Sequence, residues 1–205
     1  GAAAVNRYGH RLRDRHDALL DDPLTPPTDV THHRVPTADG GTVHVVDTGG
    51  GGRPVLLLHG VTLQWWVWSS VIRVLRRDHR VLAWDMRGHG ESLAGDRGVA
   101  LDACADDLAE VLAALDLRDA VVVGHSMGGM ALGQFVVRCP EVLAERVGGA
   151  VFLATSASAV SRQGVGAGLV GVASAVSDVA GATLRNPRLT YHWKDTDLSA
   201  ALVGA

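Results

Sequence analysis

The stretch AVVVGHSMGGMALGQF, residues 120–135, decides how this chain is read. Four apolar residues run into Gly124, His125, Ser126, Met127 and Gly128, and a helical apolar pattern follows at once. Glycine on both sides of the serine fits a buried strand that turns so sharply into a helix that only small residues clear the corner. Such a turn holds the hydroxyl out at the carboxyl edge of a sheet. The free N–H groups and positive dipole end of the helix lie beneath it and favour developing negative charge. Ser126 is therefore the candidate nucleophile.

Working outward, residues 54–59 (PVLLLH), 80–85 (RVLAWD) and 147–154 (VGGAVFLA) are short apolar runs of the kind that parallel strands buried on both faces produce. Residues 67–77 carry a helical stripe between the first two. Residues 101–115 place Leu101, Cys104, Ala105, Leu108, Val111, Leu112 and Leu115 on one face, opposite Asp102, Asp106 and Glu110. The alternation predicts an α/β fold with a mostly parallel sheet and helices on both faces. Ligands in such sheets bind beyond the carboxyl ends of the strands. Those ends carry residues 59–61, the polar loop 85–92, Ser126, and Thr155 with Ser156.

Upstream, residues 30–35 and 42–47 flank turn residues and predict an antiparallel hairpin. Residues 1–20 read as a charged surface helix, and residues 21–29, with Pro23, Pro26 and Pro27, as an extended linker. The expected organisation is a helix and linker over 1–29, a core over 30–156 and a partial cap over 157–205.

With 205 residues, 47% hydrophobic content and a net charge of −3, the chain suits one globular domain with no electrostatic case for nucleic acid or an anionic membrane. Cys104 and Cys139 lie in predicted helices and are read as buried thiols. His32, His33 and His44 fall in the hairpin, but no carboxylate or cysteine stands at ligand spacing, so no metal is expected and exposed strand faces are. The glycine run 49–52 lacks the lysine and strand–helix context of a phosphate loop, and Gly166, Gly168 and Gly171 follow no strand, so no cofactor is expected. Residues 164–184 hold Asp178 and too many glycines and serines for a membrane span, and read as a cap helix over the cleft. No apolar leader is visible and a cytoplasmic location is favoured, though an upstream signal could have been removed. The sequence does not fix an oligomeric state.

Three motifs in order, LLLHGV at 56–61, DMRGHGES at 85–92 and GHSMGG at 124–129, resemble the α/β-hydrolase superfamily. Within it the chain is similar to bacterial serine esterases, lipases and the cofactor-free haloperoxidase-like group. A serine at the elbow departs from haloalkane dehalogenases and epoxide hydrolases, which use aspartate there. The resemblance implies an acyl-enzyme on Ser126, with the backbone N–H groups of Met127 and Val61 as the oxyanion hole, acting on a small carboxylic ester. It assigns His59 to steadying the HG turn, and Asp85 and His89 to loop geometry. His125 is read as part of the elbow. Trp65, Trp66 and Trp68 have two readings, lining an acyl pocket or packing under a cap.

The superfamily order is serine, acid, histidine. After residue 154 only His192, Asp195 and Asp197 offer partners, and their order is inverted. Together with a first residue that is not methionine, this leads to the expectation that acid and base lie beyond Ala205, in a longer protein cut before them. An unpaired apolar edge at the 147–154 strand would then favour aggregation. The competing reading is a non-catalytic domain of the same fold that binds a ligand or a partner chain.

Overall fold

A computed structural model describes residues 25–155. The expectations for residues 1–20, for the cap helix and for His192, Asp195 and Asp197 lie outside the described residues. The strands are β1 (Thr31–Pro36), β2 (Thr42–Asp47), β3 (Pro54–Leu58), β4 (Arg80–Trp84), β5 (Ala120–His125) and β6 (Val147–Leu153). The α-helices are α1 (Ser69–Leu75), α2 (Leu101–Ala114), α3 (Met127–Arg138) and α4 (Pro140–Arg146). They build one six-stranded sheet in the order β1-β2-β4-β3-β5-β6. The hairpin and the β2–β4 pair are antiparallel, and β4, β3, β5 and β6 run parallel.

Strand alternation sends the apolar residues to two cores. Leu56 and Leu58 of β3, Leu82 and Trp84 of β4, and Ala120 and Val122 of β5 face α2, α3 and α4 through Leu108, Leu112, Leu132, Phe135 and Leu143. Val55 and Leu57, Val81 and Ala83, and Val46 of β2 face Trp65, Trp68 and Ile72 on the other side. A continuous apolar run is what a strand covered on both faces requires. Each fully buried leucine here contributes about 1.5–3 kcal/mol by leaving water.

Three local readings change. The stripe predicted over 67–77 begins as a 3-10 turn, Trp65–Trp68, before α1 takes over. Trp65 and Trp68 are buried in the second core, so they pack against the sheet, while Trp66 is half-buried. Helix α4 is absent from the sequence reading. Pro140 at its first turn starts it directly after α3, where proline's missing N–H costs nothing.

Of the two thiols expected to be buried within helices, Cys104 is so placed, while Cys139 lies at the junction between α3 and α4. Cys104 is buried, and loss of solvation pushes it up to about 12. Cys139 is half-buried and shifted the same way by the same cause.

Candidate active site

The elbow is a backbone construction. β5 ends at His125 and α3 begins at Met127, leaving Ser126 alone at the junction with φ 51° and ψ −117°. A non-glycine residue in this region is strained and persists only where its surroundings hold it. Here the Ser126 N–H donates to Leu153 O at 3.0 Å, and the N–H groups of Gly129 and Met130 donate to Ser126 O at 3.0 and 3.1 Å. The Thr155 hydroxyl donates to the same carbonyl at 2.6 Å.

Close approach explains the glycine that follows. A Cβ at Gly128 would stand 2.5 Å from Leu58 O and 2.6 Å from His59 O, so α3 can lie this close to the end of β3 only without a side chain. The HG turn is equally near. A Cβ at Gly60 would stand 3.1 Å from Ser126 Cβ and 3.2 Å from His125 Nδ1, so the next residue, Val61, begins its exposed turn beside the serine. Thr62 then takes a left-handed φ of 62°. Among the described residues neither the Met127 N–H nor the Val61 N–H meets a hydrogen-bond acceptor.

His59 is fully buried and fixed at both ring nitrogens. Nε2 accepts from the Met86 N–H at 2.9 Å, so the proton sits on Nδ1 and is donated to Gly60 O at 2.7 Å. Burial pushes its pKa below the ordinary 6.5, against the Gly60 bond and Asp85, which pull it up. The ring therefore joins the HG turn to the DMRGHGES loop and is not free to take a proton from Ser126. His125 meets Trp68 edge-on, with ring centroids 6.2 Å apart. Among the described residues no histidine is hydrogen-bonded to Ser126 Oγ.

The 85–92 loop is anchored from inside. Asp85, at the end of β4, is fully buried and accepts from the Trp65 N–H at 2.8 Å, the Glu91 N–H at 3.0 Å and His44 Nδ1 at 2.8 Å. Desolvation works against its charge, but the bonds from His44, Glu91 and Trp65 outweigh it and hold its pKa below the usual 3.8. Gly90, with φ 51°, presses its Cα against the Asp85 carboxylate where a side chain would collide. Next to it Arg87 is buried between two carboxylates, with bonds of 2.7 and 2.7 Å to Asp107 of α2 and 2.9 and 3.1 Å to Asp39 of the hairpin turn. Those bonds, led by Asp107, keep its guanidinium charged.

His44 corrects the expectation of an exposed strand face. Val43 and Val45 of β2 enter one core and Val46 the other, so both faces of the strand are covered, and the imidazole at 0% exposure reaches the end of β4 where Asp85 stands. Its other nitrogen, Nε2, lies 2.8 Å from Nδ1 of His32. Glu91, remote in sequence, comes to the same place: ligand atoms of His32, His44 and Glu91 lie within 4.8 Å of one another. A search for ligands at short spacing misses this carboxylate, because the loop that carries it is brought home by Asp85 and Arg34.

The family model of the alpha/beta hydrolase fold matches residues 53–191. The chain belongs to this family. Mouse epoxide hydrolase 4 is 33% identical over 147 residues, covering 70% of this chain and 40% of that protein. The non-heme haloperoxidase of Rhodococcus erythropolis is 42% identical over 103 residues, covering 50% of this chain and 38% of that protein. Among solved structures, an esterase from Exiguobacterium antarcticum superposes with a TM-score of 0.58 at 26% identity, covering 64% of this chain and 48% of that one. This hydrolase-fold chain thus spans about two fifths of the length of these curated relatives. Among the described residues no helix is long and apolar enough to cross a membrane.

Proposed function

We propose that Ser126 is the nucleophile of a serine hydrolase acting on small carboxylic esters. Its hydroxyl oxygen attacks the ester carbonyl, the alcohol leaves, and water then releases the acid from the acyl-enzyme. The Met127 and Val61 N–H groups receive the oxyanion, and loss of one such donor costs about 3 kcal/mol of transition-state stabilisation. The observation that carries this reading is the strained Ser126 backbone at the strand–helix junction, with the HG turn packed beside it. The proton acceptor and its acid partner belong to residues outside those described. A serine without a base keeps only the residual rate that binding and the oxyanion hole provide.

The test is covalent labelling by a fluorophosphonate together with a nitrophenyl ester burst, on the parent and on Ser126→Ala. Labelling and a burst that vanish in the variant are the expected result. A chain that folds but shows neither supports the competing reading, a ligand-binding domain of the same fold.

A further inference from the structure

A second cluster of chemistry-bearing side chains lies apart from the elbow, where β1, β2 and the 85–92 loop meet. His44 is fully buried, yet its Nε2 points outward to His32, an exposed residue of β1. The Asp85 carboxylate also accepts from the Trp65 and Glu91 N–H groups, so it serves as the acceptor and His44 Nδ1 carries the proton donated to it. In the neutral ring Nε2 is then a lone pair facing His32 Nδ1 at 2.8 Å. A carboxylate that fixes the tautomer and direction of an imidazole is the support that metal-bound histidines have in general. Glu91 completes the set. Arg34 holds its Oε2 at 2.6 Å, and its Oε1 carries no hydrogen bond among the described residues.

We propose that His32 Nδ1, His44 Nε2 and the Glu91 carboxylate form a binding site for a divalent transition-metal ion of the zinc type. Two imidazoles and one carboxylate suit zinc in tetrahedral geometry, with the fourth position open to solvent beside the exposed His32 and Glu91. Nitrogen ligands at 2.0–2.1 Å from such an ion stand about 3.3 Å apart. The pair at 2.8 Å opens by about half an ångström, which His32, at the surface, supplies by turning its ring. The ion takes the place of the proton bridging the two rings, and the neutral His32 ring then carries its single proton on Nε2, the nitrogen away from the ion. Bound there, the ion clips three segments that are far apart in sequence. Through Asp85 it also bears on the Trp65 N–H, and so on the turn that follows Val61.

The test titrates zinc into the chelator-stripped chain by calorimetry and records visible absorption with cobalt(II) as a geometric probe. The variants are His32→Ala, Glu91→Gln and, as a control on the same strand, His33→Ala. Expected are one ion bound with micromolar or tighter Kd, tetrahedral cobalt bands, and affinity that falls at least tenfold in the first two variants and not in the third. Thermal melts without metal confirm that each variant folds, and the parent's Tm should rise with zinc. No binding by the parent, binding unchanged in both His32→Ala and Glu91→Gln, or an equal loss in His33→Ala each overturns the site. Ser126 takes no part in any of these measurements, so the outcome is independent of the hydrolase reading.

Discussion

The elbow at residues 124–129 and the loop at residues 85–92 both follow the carboxyl ends of parallel strands, yet they are held by opposite means. At the elbow the main chain is packed so closely on itself that carbonyl oxygens fill the space a methyl group would need. In the loop the backbone makes successive hydrogen-bonded turns whose position is set by buried charge: Asp85 on three donors, and Arg87 between Asp39 and Asp107. Steric exclusion positions Ser126 without any titratable group. Charge positions the loop only while every partner is present.

The sharpest way to break this contrast is Arg87→Met. It leaves two carboxylates, Asp107 almost fully buried, without their cation. Removing one member of a buried ion pair costs about 3–5 kcal/mol. Urea unfolding should show a loss of that size, and a loss well under 1 kcal/mol would mean that apolar packing holds the loop after all.

Gly128→Ala should act less strongly on stability, by about 1–3 kcal/mol, the usual cost of forcing a methyl into filled space. Its signature is local: fluorophosphonate labelling of Ser126 should fall by more than the fraction unfolded. Labelling that merely tracks unfolding would remove the claim that close packing aims the hydroxyl.

His59 joins the two regions, since its carbonyl touches the Gly128 position and its ring takes the Met86 N–H. Its pKa is depressed in the fold relative to 6.5, so below that value the unfolded chain binds a proton that the folded ring resists. The stabilisation is therefore full above pH 6.5 and is lost as pH falls through the folded pKa, at no more than about 1.4 kcal/mol per pH unit. Asp39, Asp47 and Asp85, all held below 3.8, add their loss only at more acid pH. Denaturant midpoints taken between pH 7.5 and 5 should decline, and a flat profile there would contradict the burial argument.

The same contrast explains what could be read from the residues alone. The elbow is legible because its contacts are local: Gly124, Ser126 and Gly128 sit within one turn of chain, and spacing reveals them. The short apolar runs of β3, β4 and β5 are legible for the same reason. Asp85 was recognisable as a loop anchor, but its partner His44 stands 41 residues away. Asp39 and Asp107 stand 48 and 20 residues from Arg87. No spacing rule finds such partners, because the sheet order brings them together. For that reason spacing alone puts His44 on an exposed face and leaves Glu91 apart from the histidines. The tryptophans illustrate a third limit, since periodicity showed that they are apolar but not which surface covers them.

One bond ties the end of the sheet to the nucleophile. The Thr155 hydroxyl meets the Ser126 carbonyl, so the chain leaves the sheet right beside the nucleophile. A change at Thr155 therefore acts on the main chain of Ser126 directly, without passing through the side chains of either core.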